Sequence, residues 1–167
     1  ARAAAAAMIE ISRRTERGYG NFRFAAIANC PPDIPFYPAG YHRGTDCFSI
    51  GLECGDLVAR AFARVRTLPE AKENLAGICR KEFGQVASIG SRLARTGGFR
   101  FQGVDLSIAP SLSRDQSLAR AYERLGLGKF GAAGTLAVSS LITDVLRALK
   151  IKKCGYSGLM LPVLEDR

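Results

Sequence analysis

The spacing of apolar residues along the chain predicts helices that alternate with short strands. Apolar residues that recur every three or four positions indicate one buried face of a helix, whereas short apolar runs between turn residues indicate buried strands. The first helix is predicted over residues 3–14, which are rich in Ala, and it ends before Gly18 and Gly20. Strands are predicted over residues 22–29, 47–52 and 99–108, further helices over 56–65, 113–125 and 135–149, and an extended tail over 151–163.

The strongest helix signal begins at Thr67-Leu68-Pro69-Glu70, a capping box with Pro in the first turn, where a missing N–H costs nothing. This helix continues along one apolar stripe until Gly97 and Gly98 end it. A second capping box, Ser113-Arg114-Asp115-Gln116, predicts the start of the helix over 113–125, with Gly126 as its stop. The stripe of the first of these helices comprises Leu75, Cys79, Phe83, Val86, Ile89 and Leu93.

The alternation of apolar strands with helices predicts an α/β fold, in which a parallel sheet is covered by helices. Binding groups in such folds cluster in the loops that follow the carboxyl ends of the strands. The loops in that position are residues 30–45, the stretch after Glu53, residues 109–113 and residues 131–134. The length of 167 residues suits one domain and hardly two.

Charge adds a basic surface to this picture. The chain carries 24 Lys and Arg residues against 15 Asp and Glu residues, a formal net charge of +9. The excess is spread along the chain, whereas a nucleic-acid site would gather it on one face with aromatic residues for stacking. We therefore expect a solvated or partner-facing basic surface rather than nucleic-acid binding. Membrane insertion is not expected either, because no apolar run approaches the roughly 20 residues of a transmembrane helix.

The five cysteines predict free thiols rather than disulfide bonds or a zinc site. Their number is odd, their spacing is irregular and no CxxC motif occurs. A reducing compartment follows, with the cytoplasm expected first and the interior of an organelle as the alternative. The single histidine excludes a His-rich metal centre, whereas Cys and carboxylate ligands remain open. The sequence predicts no metal site and leaves the cofactor unknown.

One loop and one strand carry polar side chains suited to catalysis. His42 lies in the Gly- and Pro-bounded loop 30–45, where it could act as an acid–base group beside Arg43, which could bind an anion. The alternative is a histidine that only satisfies backbone groups of the loop. Asp105 and Ser107 share one face of an otherwise apolar strand. They are catalytic candidates if that face lines a barrel interior, and ordinary surface residues if it faces solvent.

Two glycine-rich turns are candidates for ligand binding. Gly131, Gly134 and Thr135 stand at the start of a helix, where free N–H groups suit an anion, although tight packing with Thr135 as N-cap explains the same pattern. Ser157 and Gly158 lie in a turn that begins Cys-Gly-Tyr, which bears a superficial likeness to a glycyl-radical loop. A turn that closes on a pocket is the favoured interpretation.

Several segments together occur in the order seen in one known family, and VDLSIAP and the SGxxxPVxED pattern are the most telling of them. The chain resembles the uncharacterised "domain of unknown function 711" family, also described as UPF0210, and it matches a middle portion of the longer members. The resemblance implies a partial parallel α/β barrel of the pyruvate formate-lyase-like, glycyl-radical-enzyme type. The segments are PFYPAGYHRG (35–44), CFSIGLE (47–53), FQGVDLSIAPS (101–111), LARAYERLGL (118–127), GAAGTLAVSSL (131–141) and GYSGLMLPVLED (155–166).

The resemblance also implies which residues match the family's motifs. His42 matches the loop histidine, Asp105 matches the carboxylate of VDLS, and Glu165 and Asp166 match the acidic pair after the last strand. Phe130 stands where the family has a His, which departs from its pattern. The family brings no established reaction and no cofactor with it.

Two functions remain open at this point. The first is a small-molecule or anion-binding α/β barrel protein, enzymatic or descended from an enzyme. The second is a non-catalytic structural subunit of a larger assembly. Because residues 1–167 are expected to form a single, incomplete barrel domain, the expected partners are the rest of the barrel, other protein chains or further copies of this chain.

Overall fold

Helices and parallel strands alternate along the chain in the computed structural model, which describes residues 1–24, 46–52, 54–111, 113–162 and 166. The chain therefore has the mixed helix-and-sheet composition of an α/β protein. The elements are α1 (Arg2–Arg14), β1 (Cys47–Gly51), α2 (Gly55–Phe62), α3 (Leu68–Gly97), β2 (Arg100–Asp105), α4 (Leu118–Glu123) and α5 (Gly134–Ala148), with 3-10 turns at Glu16–Arg23 and Arg114–Gln116.

The two strands β1 and β2 pair in parallel. Cys47 lies opposite Arg100 and Gly51 opposite Asp105, with an irregularity in the register between Phe48 and Ser49. The predicted parallel arrangement is thus confirmed for these two strands. The predicted strand over 22–29 is wrong at its start, because Glu16–Arg23 forms a 3-10 turn, and its remaining residues 25–29 lie outside the described residues.

A third extended segment, residues 152–160, lies along the other edge of β2 and is called the tail segment below. Two parallel bridges hold it there, between Val104 and Lys153 and between Ile108 and Leu159. The N–H of Ile108 donates to the carbonyl of Gly158 at 2.9 Å, and the N–H of Met160 donates to the carbonyl of Ile108 at 2.9 Å. The carboxyl ends of all three segments therefore meet at one edge of the sheet.

Gly103 allows the tail segment to approach β2 closely. Its φ of 140° is a conformation that side-chain-bearing residues rarely adopt, and a Cβ there would lie 2.7 Å from the carbonyl oxygen of Lys152. This contact explains why a glycine interrupts an otherwise apolar strand.

The hydrophobic core lies between the sheet and helices α2, α3 and α5. Phe62 of α2, Phe83 of α3 and Ile142 of α5 are all completely or almost completely buried in it. Val104, Leu106 and Ile108 supply the sheet side with no exposed surface. Burial of such side chains is the main stabilising contribution, at roughly 1.5–3 kcal/mol for each.

Helix α3 begins at the predicted capping box. The hydroxyl of Thr67 accepts a hydrogen bond from the N–H of Glu70 at 3.3 Å, and the carboxylate of Glu70 accepts one from the N–H of Arg66 at 3.2 Å. The hydrogen bond from Arg66 lowers the pKa of Glu70. The helix stops at Gly98, whose φ of 71° is left-handed, as the glycine signal predicted.

The predicted apolar stripe of α3 is correct only in its first half. Leu75, Cys79 and Phe83 are fully buried, but Ile89 and Leu93 are 45% and 51% exposed. A helix of 30 residues is about 45 Å long, whereas the six residues of β2 span about 20 Å, so the last turns of α3 extend beyond the core. Gly90 takes the buried position there, because a Cβ at Gly90 would lie 2.5 Å from the ring of Phe101.

One smaller expectation, the capping box at Ser113, is also wrong. Ser113 does not cap a helix; its hydroxyl bonds the carboxylate of Asp115, and α4 begins after Ser117, whose hydroxyl accepts from the N–H of Arg120 at 3.1 Å. Phe99 does not face the core but is 49% exposed, in edge contact with the ring of Phe48. In the part of the chain that the structure describes, no helix is long and apolar enough to cross a membrane.

A pair of leucine substitutions on α3 tests where the helix leaves the core. We expect Leu75→Ala to lower the free energy of unfolding by about 2–5 kcal/mol, because it removes a fully buried side chain. Leu93→Ala, on the same helix, should cost less than about 1 kcal/mol because half of that side chain already contacts water. Urea unfolding followed by circular dichroism measures both. Equal losses would contradict the observed position of α3.

Candidate functional site

A buried carboxylate lies at the carboxyl end of the sheet. Asp105 is the last residue of β2. Asp105 and Ser107 are each only 7% exposed. β1 lies along one edge of the strand and the tail segment along the other, and residues from Gly103 to Ile108 are all buried, polar and apolar alike. The alternative of Asp105 and Ser107 as ordinary surface residues is therefore wrong.

One oxygen of the Asp105 carboxylate accepts three hydrogen bonds. Its Oδ1 atom accepts from the N–H of Ser107 at 3.0 Å, from the hydroxyl of Ser107 at 2.6 Å and from the N–H of Ser157 at 2.9 Å. These bonds offset part of the cost of removing the charge from water. Among the described residues, no hydrogen bond uses the second oxygen, Oδ2.

The tail segment brings Ser157 and Gly158 to the same place. The hydroxyl of Ser157 accepts from the N–H of Leu106 at 3.1 Å and donates to the carbonyl of Cys154 at 2.8 Å. The N–H of Gly158 donates to the hydroxyl of Ser107 at 3.5 Å. Ser157 also has a φ of 47°, which costs energy in a residue with a side chain and persists only where surrounding contacts hold it.

The structure thus unites four of the predicted site residues: Asp105, Ser107, Ser157 and Gly158. We call these four residues the Asp105 cluster. Their sequence positions are separated by about fifty residues, and the parallel pairing of β2 with the tail segment places them together.

Two cysteines beside the Asp105 cluster are not among the predicted site residues. The thiol of Cys54 donates to the carbonyl of Ser107 at 3.0 Å. Burial raises the pKa of Cys54 to about 12 and that of Cys154 to about 11, and the negative charge of Asp105 adds to both shifts. Both thiols are therefore protonated at neutral pH and are poor nucleophiles. The position of Cys54 just after β1 is the sequence signal that could have identified it.

The glycine turn before α5 is closed on itself. The N–H of Gly131 donates to the hydroxyl of Thr135 at 2.8 Å, so this group is already satisfied. Ala133, rather than Thr135, is the N-cap of α5, and Thr135 lies inside the helix. The cavity that Gly134 and Thr135 line has a volume of about 10 Å³, which is room for one water.

The remaining predicted site residues divide into two groups. His42, Arg43 and Glu165 lie outside the described residues. Asp166 is described, and its Oδ2 atom accepts from the N–H of Ala119 at 2.8 Å, at the first turn of α4. Within the described ranges, no group of three or more His, Cys, Asp or Glu side chains could hold a metal ion.

Comparison with known proteins assigns the family. The family described as "Uncharacterised ACR (DUF711)" matches residues 1–167, which is the whole chain. The chain belongs to the DUF711 family. This confirms the resemblance seen in the sequence, and because the family is uncharacterised, its biochemical function is unknown.

Relatives of the DUF711 chain occur in archaea and bacteria. It is 31% identical to a UPF0210 protein of Methanocaldococcus jannaschii over 94% of its own length and 36% of that protein. It is 36% identical to a UPF0210 protein of Pyrobaculum islandicum, over 86% of this chain and 34% of that protein. It is 30% identical to a UPF0210 protein of Bifidobacterium adolescentis, over 89% of this chain and 35% of that protein. The chain thus spans about a third of the length of the curated relatives it matches.

No solved structure matches the DUF711 chain, so the pyruvate formate-lyase-like barrel that the resemblance implied is not confirmed. The match to an uncharacterised family does not favour the alternative of a non-catalytic structural subunit.

The buried thiols predict that the protein loses stability in alkali. Burial raises the pKa of Cys54 and of Cys79 from 9.0 to about 12. Between these values the unfolded chain binds fewer protons than the folded chain, so the free energy of unfolding falls as the pH rises. Each thiol contributes a slope of at most about 1.4 kcal/mol per pH unit. Urea unfolding under reducing conditions between pH 8 and pH 11, a range chosen from the ordinary and raised pKa values, measures this slope.

The variant for this measurement is Cys79→Ala, at a fully buried position. Cys79→Ala should make the alkaline slope shallower than that of the parent chain. A slope that Cys79→Ala does not change would show that this thiol does not stabilise the fold through its proton.

Proposed function

We propose that the chain contributes a small-molecule binding site at the carboxyl ends of its parallel strands, centred on Asp105. The observation that carries the proposal is the Asp105 carboxylate itself, which is almost completely buried, with three donors on Oδ1 and none among the described residues on Oδ2. A carboxylate held in this way is oriented before any ligand arrives.

The chemistry of Asp105 indicates what the ligand must offer. Because no described residue donates to Oδ2, this oxygen can accept a hydrogen bond from an O–H or N–H group of a ligand. The ligand is therefore a small polar molecule with at least one hydrogen-bond donor. Arg43 would pair with an anionic group of the same molecule, and His42 would serve as its acid–base group.

The position of the Asp105 cluster supports a binding role. In α/β proteins, ligands bind in loops that follow the carboxyl ends of parallel strands. Cys54 and Ser107 follow the ends of β1 and β2, and hydrogen bonds link Ser107 to Cys54 and to Gly158 of the tail segment. Rigid groups with fixed hydrogen bonds lose little entropy on binding, which favours affinity.

We also propose that the three parallel segments belong to a larger α/β barrel of the glycyl-radical-enzyme type, completed by the rest of a longer polypeptide or by partner chains. The length of the relatives, about three times that of this chain, supports the proposal. So do the exposed apolar side chains of Ile89, Leu93 and Phe99, which a further layer would cover.

We also propose that the protein resides in a reducing compartment, with the cytoplasm favoured over the interior of an organelle. Cys47, Cys54, Cys79 and Cys154 are free thiols in the described part of the chain, and three of them are buried. Burial rather than cross-linking accounts for their presence, which is usual where thiols stay reduced.

The substitution Asp105→Asn tests the site separately from the fold. An asparagine keeps one carbonyl oxygen that can accept the three hydrogen bonds of Oδ1, but it replaces Oδ2 with a donor. The measurement is thermal unfolding with a set of sugars, polyols, amino acids and phosphate esters. A ligand at 100 times its Kd should stabilise the parent chain by about 2.7 kcal/mol, or roughly 5–10 °C, and Asp105→Asn should lose this response.

Asp115→Asn is the matched control, because it removes the same charge from an exposed position whose partner is Ser113. It should respond to ligands as the parent chain does. If a ligand stabilises Asp105→Asn as strongly as the parent chain, or if no member of the set stabilises the parent chain, the site assignment is wrong.

A further inference from the structure

A second cavity, between α3 and α5, lies away from the Asp105 cluster. Its volume is about 460 Å³, and its lining consists of five apolar and three basic residues. Ala76 of α3, Val145 of α5, the C-cap Leu149 and the nearby Ile151 form much of its apolar wall. Its lining includes Lys150 and Ile151, which directly precede the tail segment, and no residue of the Asp105 cluster.

The three basic residues are Lys72, Arg80 and Lys150, and no acidic residue lines the cavity. Lys72 is partly neutralised by Asp144, at 3.2 Å. Within the described ranges, Arg80 and Lys150 form no ion pair, so their charges are available to a ligand. A cavity with apolar walls and uncompensated cations favours a molecule with an apolar body and a negative group.

The C-terminal end of α5 opposes this charge only weakly. Helix C-termini carry about half a negative elementary charge, which disfavours anions nearby. One of the terminal carbonyls, that of Arg147, already accepts a hydrogen bond from the ammonium of Lys153 at 2.8 Å. The charges of Arg80 and Lys150 therefore outweigh the partial charge of the helix end.

An adjoining cavity of about 450 Å³ continues along α3 and shares Lys150 and Ile151 with the first. It adds two further cations, Arg95 and Lys152, and again no acidic residue. Gly84 lines it, and a Cβ at Gly84 would meet no atom within 4 Å. Packing in the described structure thus does not require this glycine, although a glycine within a helix costs about 1 kcal/mol relative to alanine.

We propose that the cavity between α3 and α5 binds a soluble organic anion, with a phosphate or carboxylate group between Arg80 and Lys150 and an apolar body against Val145 and Leu149. The volume of about 460 Å³ falls within the range of small-molecule pockets, roughly 300–1,000 Å³. This site is independent of the site proposed at Asp105, because the two share no residue.

Octyl phosphate is the test ligand, used below its micelle concentration with the intact chain and measured by isothermal titration calorimetry. Octanol and inorganic phosphate serve as control ligands. Octanol has the apolar chain without the negative group, and inorganic phosphate has the negative group without the chain. Octyl phosphate should bind at least about tenfold more tightly than either, because both the charge and the apolar body contribute. If it does not bind, or binds no more tightly than octanol, the proposal is overturned.

Three substitutions locate the site. Arg80→Gln should weaken binding of octyl phosphate by about tenfold, and Ala148→Leu, at an exposed position of the lining, should block the cavity and abolish binding. Lys81→Gln is the control, because Lys81 is exposed on the same helix but does not line the cavity. Circular dichroism confirms that each variant is folded.

Asp105→Asn should bind octyl phosphate as tightly as the parent chain does. This variant therefore distinguishes the cavity between α3 and α5 from the site proposed at Asp105. Equal affinities for Arg80→Gln and Lys81→Gln would overturn the cavity assignment. So would undiminished binding to a folded Ala148→Leu chain.

Discussion

The parallel pairing of β2 with its two neighbours is the constraint on which the rest of the structure depends. β2 bonds β1 on one edge and the tail segment on the other, and its residues from Gly103 to Asp105 are buried. A charged residue in that position must find partners inside the protein, and Asp105 finds them in Ser107 and in the tail segment. The same hydrogen bonds hold Ser157 in its strained conformation. The register of the sheet therefore also sets the geometry of the Asp105 cluster.

The two candidate sites offer different chemistry. At the carboxyl end of β2, three hydrogen-bond donors hold one oxygen of the buried Asp105 carboxylate, which leaves the other oxygen to a donor group of a ligand. In the cavity between α3 and α5, apolar walls and uncompensated cations suit an organic anion. The chain spans about a third of the length of the curated relatives that it matches in the DUF711 family.

The apolar pattern was a reliable guide to which elements form but not to how far each one is buried. The helix after Thr67 starts and stops as its capping box and glycines indicated, because those signals act on the local backbone. The exposure of Leu93 could not be read from the stripe, because it depends on where the shorter sheet ends. The Ser113 capping box failed for a similar reason: the segment that follows packs its 3-10 turn against Gly55, and the helix begins only at Leu118.

The sequence by itself determined the family, the α/β class, the main helices and the polar residues Asp105, Ser107, Ser157 and Gly158 as separate candidates. These depend on local patterns and motifs, which the order of residues contains directly. Only the tertiary structure decided that the four residues form one cluster, that Cys54 lies beside it and that the turn at Gly131 closes on Thr135. The reason is physical: contacts between residues some fifty positions apart follow from strand pairing and helix packing, and neither is specified by any one segment.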